Sequence, residues 1–325
     1  MLKSVWAVAQ KGAAGMLNQA VGLAEALFNG GGFGLPQSFE LEYRGPYTWA
    51  PMHPFFASLD AITPESRAQF GDQPWPDVLI TCGRKSALFA LAVKKASGGR
   101  TTTIHIQDPK ASPRYWDLLI VPEHDRTRGP NVLVSTGSLH RVTRLKLETG
   151  AEAIRQEYAH LPHPRVAVLV GGNNRYYSLD EDWMRGFVGQ LRNMCERSGC
   201  GVMATISRRS GEAETNILRG GLASLPAVLW DGKGPNPYFG FLGLADVIVV
   251  TCDSVSMISE ACSTGKPVLV ARLPGRSRRF DAFFDSLLKQ GLIQWFDGRL
   301  MQWDSGKLDD MGHITRDVRQ RFGWS

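Results

Sequence analysis

Residues Thr251 to Val268 read TCDSVSMISEACSTGKPV. The apolar run Asp246 to Val250 leads into this stretch as a buried strand. Asp253 and Ser254 then stand where a helix would begin, Val255 to Ser263 carries a helical pattern, and Pro267 to Ala271 reads as the next strand. A strand that passes through two N-cap residue types into a helix and out into another strand is one turn of a parallel α/β sheet.

The pattern extends outward on both sides. Upstream lie strand Arg165 to Val170, loop GGNNRYY, helix Asp180 to Ser198, strand Gly201 to Ile206, loop SRRS, helix Gly211 to Ser224, strand Ala227 to Trp230 and a short helix Tyr238 to Leu244. The first half has the same rhythm, less regularly. Strand Ser4 to Ala9, loop KGAAG and helix Met16 to Phe28 open it, Gly30 to Gly34 break the pattern, and a second strand is expected at Ser38 to Tyr43. An irregular Pro- and Trp-rich excursion with one short helix covers Gly45 to Pro76, and strands at Val78 to Cys82, Thr102 to Ile106, Leu118 to Val121 and Val132 to Val134 follow. The fold class expected is α/β, two Rossmann-like doubly wound domains facing across a cleft. We place them at residues 1–150 and 151–306, with 307–325 a helix crossing back to the first. At 325 residues the chain is long enough for two cores.

Bulk composition narrows the function classes. With 43% hydrophobic residues, 21% charged residues and 35 glycines the chain is of ordinary globular type, and no apolar run approaches the ~20 residues of a membrane-spanning helix. No signal-peptide pattern opens it, so a cytoplasmic address is expected. The five cysteines, an odd number, argue against a disulfide framework, and the pair Cys195 and Cys200 lacks the further ligands of a zinc site. Neither G-x-G-x-x-G nor G-x-x-x-x-G-K-[ST] occurs, so a bound nicotinamide cofactor and a P-loop are both unsupported. The net charge of +6 favours anionic partners. Arg316, Arg319 and Arg321 beside Phe322 and Trp324 suit either a plain C-terminal helix or a tail resting on an anionic membrane surface.

In an open parallel sheet, ligands bind beyond the carboxyl ends of the strands. The loops there are polar. Gly171, Gly172, Asn173 and Asn174 follow one strand, and their glycines would let backbone approach a phosphate. Ser207, Arg208 and Arg209 follow the next, with guanidiniums suited to phosphate oxygens. Asp231 and Asn236 follow a third. Thr251, Asp253, Ser254 and Ser256 lie where strand meets helix, and Glu260 further along that helix could accept hydrogen bonds from a ribose diol. In the first half, Gly12, Ala14, Gly15, Asn18 and Gln19 form an acceptor-side loop. Asp108, His124 and Asp125 follow later strands as acid/base candidates, while His105 inside its strand reads as a packed histidine. Asp180, Glu181 and Asp182 read as a helix start and not as a metal motif.

The runs GAAGMLNQAVGLAEAL, IHIQDPKASPRYWDLLIVPEHD, NVLVSTGSLHRV, VLVGGNN, ISRRSGE, LWDGKGPNPYFGFLGLADVIVVTCDSVSMISEACSTGKPV and RRFDAFFDSL resemble the elongated-mitochondria-type mitochondrial fission proteins of plants and their bacterial relatives, over nearly the whole chain. Those relatives are classed with the glycosyltransferases. The resemblance implies a glycosyltransferase-B-like fold whose second domain grips a nucleotide-sugar and whose first receives the acceptor. It sets Gly171, Gly172 and Ser207 to Arg209 around the diphosphate, and Asp253, Ser254 and Glu260 beside sugar and ribose. This chain has Met16 where some bacterial members carry histidine, which leaves Asp108, His124 or Asp125 as the catalytic candidates.

The expected function is therefore transfer of a sugar from a nucleotide-sugar donor to a cell-envelope acceptor of glycan or glycolipid type. No bound metal, cofactor or nucleic acid is expected, and the protein would work in the cytoplasm or at the inner face of the membrane. A non-enzymatic membrane-surface adaptor is the alternative, and a sugar-nucleotide hydrolase or epimerase a third reading.

Overall fold

The computed structural model describes residues 3–28, 33–49, 51–207 and 209–324, without the side chains of 46 and 48. The chain forms two compact units, residues 1–141 with 309–325, and residues 142–308.

The first unit is built on six parallel strands, β1 (Val5–Gln10), β2 (Gln37–Leu41), β3 (Val78–Cys82), β4 (Thr102–Ile106), β5 (Leu118–Pro122) and β6 (Val132–Ser135), in the order β2-β1-β3-β4-β5-β6. Every residue of β3 is buried, the signature of a sheet covered on both faces. One face packs against α1 (Ala14–Phe28) through Ala20, Leu23, Ala24 and Leu27. The other carries Trp6, Leu79 and Leu119 against α3 (Arg84–Ala96) and the irregular segment that includes α2 (Pro64–Ala68). That excursion forms three 3-10 turns besides α2, where a single short helix was expected. The expected glycine break at Gly30 to Gly34 falls partly outside the described residues.

The second unit has β7 (Arg165–Val170), β8 (Gly201–Ile206), β9 (Ala227–Trp230), β10 (Val247–Thr251), β11 (Val268–Ala271) and β12 (Ile293–Trp295), all parallel, in the order β12-β11-β10-β7-β8-β9. The direction of winding reverses between β7 and β10. Its helices are α4 (Arg144–Arg155), α5 (Glu181–Ser198), α6 (Glu212–Leu222), α7 (Tyr238–Leu244), α8 (Val255–Cys262) and α9 (Arg278–Lys289). At the start of α5, Asp180 accepts the Trp183 N–H at 2.8 Å, and Glu181 and Asp182 pair with Arg185, as a helix start requires. Cys195 and Cys200 are buried with their Sγ atoms 3.7 Å apart.

Helix α4 moves the start of the second unit from the expected residue 151 to Val142. The reason is close packing of α4 on α7. A Cβ at Gly243 would lie 2.4 Å from the Leu147 carbonyl oxygen, and one at Gly240 would lie 2.6 Å from that of Gly150, so only glycine lets these two backbones meet.

The last helix, α10 (Asp310–Phe322), belongs to the first unit. Buried Asp310 accepts the Thr136 and Gly137 N–H groups at 3.0 and 2.7 Å, and Ile314 and Val318 enter the core beside Leu23 and Leu139. Arg319 and Arg321 donate to the carbonyls of Leu27 and Pro130. Phe322 stacks on Trp324, centroids 4.6 Å apart, and Trp324 meets Phe33 edge-on. These two rings and two arginines contact the first unit's own residues, while Arg316 stays exposed, 3.9 Å from Asp309. No helix among the described residues is long and apolar enough to cross a membrane.

Candidate functional site

The loops leaving β7, β8 and β10 are tied together at the point where strand order reverses. Asp253, its side chain fully buried, is the knot. Its Oδ1 accepts the Thr251 hydroxyl at 2.6 Å, and its Oδ2 accepts the Gly172 N–H at 3.0 Å and the Arg209 guanidinium at 2.9 Å. The Thr251 hydroxyl oxygen in turn accepts the Gly171 N–H at 2.7 Å, and the Asn174 amide donates to the Asp253 carbonyl at 3.0 Å. From the β8 loop, Ser210 Oγ donates to the Gly171 carbonyl at 2.5 Å, and Ser207 Oγ accepts the Arg209 N–H at 3.2 Å.

Two glycines have a specific use here. A Cβ on Gly171 would lie 2.1 Å from Asp253 Oδ1, and one on Gly172 would lie 2.5 Å from the Arg209 carbonyl carbon. Their small size serves the clasp itself, where the sequence suggested room for a phosphate. Asn173 and Asn174 likewise shape their own loop. Asn173 Oδ1 accepts the Leu179 N–H at 2.6 Å, and Asn174 Oδ1 accepts those of Tyr176 and Tyr177 at 2.8 and 2.9 Å. Arg208 lies outside the described residues.

Above this clasp, α8 begins. Ser254 caps it by accepting the Met257 N–H at 3.3 Å, and no acid occupies its first turn. Residues Ser254 to Met257 are half-buried, and Arg209 is 45% exposed along its side chain. A helix N-terminus without acids, with a half-exposed guanidinium held on the adjoining loop, is chemically suited to an anion.

Glu260 and Asn236 form a second group around Tyr238. The Tyr238 hydroxyl donates to Glu260 Oε2 at 2.5 Å, and Asn236 Oδ1 accepts the Tyr238 N–H at 3.0 Å. Burial pushes the Glu260 carboxyl up to about 7, opposed by the hydrogen bond from Tyr238, whose own phenol is raised well above its ordinary value by burial and then by Glu260. The folded chain thus holds a proton that the unfolded chain releases near pH 4.5, so this group stabilises the fold at low pH and the contribution is lost as pH rises towards 7. Glu260→Gln is accordingly expected to gain ~2–3 kcal/mol at pH 8 relative to its effect at pH 4, where both side chains are neutral. Thermal melts across that range check it; a pH-independent difference contradicts it. Asp231 stands apart, its carboxylate 2.9 Å from Arg219, whose hydrogen bond holds its pKa low.

In the first unit, Asp108 and Asp125 converge on a residue the sequence reading passed over. Lys110 Nζ lies 2.6 Å from Asp108 and 3.3 Å from Asp125, and the Asp108 carboxylate also accepts the Lys110 N–H at 2.7 Å and the Thr127 hydroxyl at 2.8 Å. Both carboxylates are buried. Burial alone would raise the Asp108 pKa, but the hydrogen bonds from Lys110 and Thr127 outweigh it and hold it below the ordinary value. Gln107 and Lys110 adopt positive φ of 78° and 59°, a costly backbone for residues with side chains. The run QDPK, an acid and a cation flanking a proline, was the available signal. His124, between them in the chain, is half-buried. His105 is the packed histidine expected: its Nδ1 is 2.8 Å from Thr81 Oγ1, its ring stacks on Trp116, and burial lowers its pKa to about 3.

Gly12, Ala14 and Gly15 are exposed around the start of α1, where the Gly12 N–H donates to Glu40 at 3.2 Å; Asn18 is half-buried and Gln19 buried. Met16 fills the space over Gly83, where a Cβ would lie 2.3 Å from its sulfur. Among the described residues, no three His, Cys, Asp or Glu side chains gather as a metal site.

Two parallel six-stranded Rossmann-like units place the chain in the glycosyltransferase-B-like fold class. Solved structures agree: the UDP-GlcNAc 2-epimerase of Methanocaldococcus jannaschii matches with a TM-score of 0.55 at 12% identity, over 98% of this chain and 100% of that one. The spinosyn forosaminyltransferase SpnP matches with a TM-score of 0.54 at 14% identity, over 99% and 96%. At such identities the likeness concerns fold alone. The chain belongs to the mitochondrial fission ELM1 family, whose model matches residues 14–322. The mitochondrial fission protein ELM1 of Arabidopsis thaliana is 28% identical over 327 residues, covering 91% of this chain and 72% of that protein.

Proposed function

We propose that the chain is a glycosyltransferase whose second unit binds a nucleotide-sugar at the N-terminus of α8, and that the sugar passes to a cell-envelope acceptor of glycan or glycolipid type. One observation carries this reading: the loops after β7, β8 and β10 are hydrogen-bonded into a single clasp at the switch point of the sheet, where ligands of such folds bind. Asp253 would act there as the strut that aims Arg209 and the Gly172 backbone, while the free N–H groups at the start of α8 and the outer face of Arg209 meet the diphosphate. As the acceptor hydroxyl attacks the anomeric carbon and the bond to the diphosphate breaks, the leaving group gains charge, and donors fixed beforehand stabilise it most. Glu260 and Tyr238 would bind the ribose.

The hydroxyl proton needs a base. Asp108, kept ionised by three hydrogen-bond donors, and Asp125, 3.3 Å from the same ammonium, are better suited to hold Lys110 than to take a proton, so this reading gives the role to His124. Fold neighbours that act on UDP-GlcNAc or carry the name of a sugar transferase are consistent with a nucleotide-sugar partner.

Calorimetric titration of the purified protein with UDP-, GDP- and CMP-sugars tests the proposal. One of them is expected to bind, and Arg209→Ala to weaken it about tenfold or more, as loss of a charged hydrogen bond does. No binding to any of them by folded protein contradicts it. A second reading, prompted by a relative named for mitochondrial fission and not for sugar transfer, is an adaptor that keeps the fold without turnover. Binding of the nucleotide without sugar transfer to any acceptor would favour that one.

A further inference from the structure

The segment joining β2 to α2 differs from the rest of the first unit in what it shows to solvent. Residues 43–59 contain Tyr43, Tyr47, Trp49, Phe55 and Phe56, but no aspartate or glutamate. Elsewhere in this unit Trp6, Phe39, Phe70 and Phe89 pack on one another under the sheet. In this segment three of the rings point out. Trp49 is 86% exposed, Phe55 83% and Phe56 38%.

Local chemistry keeps them there. Pro54 opens a 3-10 turn, His53 caps it by accepting the Phe55 N–H at 3.2 Å, and the Ala57 N–H closes it on the Pro54 carbonyl at 3.0 Å. Phe55 and Phe56 meet edge to face at 5.2 Å, a rigid apolar pair instead of two mobile rings. This turn packs against α3, whose first residues, Arg84 and Lys85, are exposed. The same two cations line a small groove with Tyr43, Tyr47 and Met52. The acids that flank the segment are paired, Glu42 with Lys11 at 3.3 Å and Asp60 with Arg67 at 3.5 Å.

We propose that Trp49, Phe55 and Phe56, with Arg84 and Lys85, form a surface that docks on an anionic phospholipid bilayer. Protruding rings beside uncompensated cations suit the headgroup region, where Trp and Phe insert shallowly and basic side chains meet lipid phosphate. Three exposed rings on two short turns, with two cations beside them, fit a headgroup layer better than the broad apolar patch of a protein interface. The surface is distinct from α10, whose Phe322 and Arg319 contact the first unit's own residues. It does not depend on the sugar-transfer reading, and its failure would leave that reading intact.

The test is co-sedimentation of the full chain with vesicles of phosphatidylglycerol and phosphatidylcholine, or of phosphatidylcholine alone. The chain is expected to pellet with the first at low salt and to be released by high salt. Trp49→Ser with Phe55→Ser is expected to weaken binding at least tenfold, and Arg84→Glu with Lys85→Glu to remove the preference for anionic vesicles. Since all four side chains are exposed, both variants are expected to melt at the wild-type temperature. Wild-type protein that stays in the supernatant with anionic vesicles, or variants that pellet as it does, overturn the proposal. So does self-association abolished by the serine variant without vesicle binding, which would make the surface a protein interface.

Discussion

Asp253→Ala is expected to destabilise the second unit by about 2–4 kcal/mol, the cost of leaving two buried donors without their acceptor. The carboxylate receives the Thr251 hydroxyl, the Gly172 N–H and the Arg209 guanidinium, and its side chain has no solvent exposure. Truncation leaves a buried backbone N–H and a buried hydroxyl without an acceptor, each of which costs free energy, while Arg209, already half-exposed, turns to water. Asp253→Asn keeps the volume but presents an amide N–H₂ to at least one of these donors, so it is expected to fall between wild type and alanine. Chemical denaturation followed by tryptophan emission reads the effect. A loss under ~1 kcal/mol would mean that the clasp holds nothing together.

Gly171→Ala is expected to cost about 3 kcal/mol, through a different cause. Its Cβ would stand 2.1 Å from Asp253 Oδ1, well inside any tolerated separation, and the obstacle is a buried carboxylate already held by three donors. The added methyl must push the carboxylate off its hydrogen bonds or shift the β7 loop, an overpacking effect at the upper end of its range. Because both substitutions act on the same carboxylate, the double variant should lose less than the sum of the two singles. Additive losses would show that alanine at 171 disturbs something other than Asp253.

The strands were the most legible part of the chain, for a physical reason. A parallel strand covered on both faces needs apolar side chains on every residue, and runs such as Val247 to Val250 provide them without interruption. The exception is β12, three residues at the sheet edge, too short for any periodicity to register. The second unit begins earlier than expected because the charged pattern of α4 does not show which sheet it packs on. What attaches it to the second unit is a set of glycines on α4 and α7 that carry no hydrophobic signal.

That the loops after β7, β8 and β10 meet was legible, but not which of their groups pair with one another. Polar loops after successive strands must meet at one edge of a parallel sheet, so Gly171, Gly172, Ser207, Arg209, Thr251 and Asp253 come together as their positions implied. That Asp253 would turn inward to Arg209, Thr251 and Gly172 depends on distances that spacing along the chain does not encode. Glu260 behaves similarly: helical spacing places it on α8, but its partner Tyr238 is delivered by the docking of α7. Lys110 left no signal because a lysine two residues from one aspartate is usually a solvated one, and Asp125 lies 15 residues further along the chain. Here both aspartates are buried, and a left-handed backbone at Lys110 brings its ammonium to them.

A crystal structure of the protein soaked with UDP tests the reading of the second unit most directly. The diphosphate is expected against the N–H groups at the start of α8, with the Arg209 guanidinium within hydrogen-bonding distance and the ribose beside Glu260. A nucleotide found on the first unit, or on the second unit away from α8 with Arg209 turned elsewhere, would contradict it.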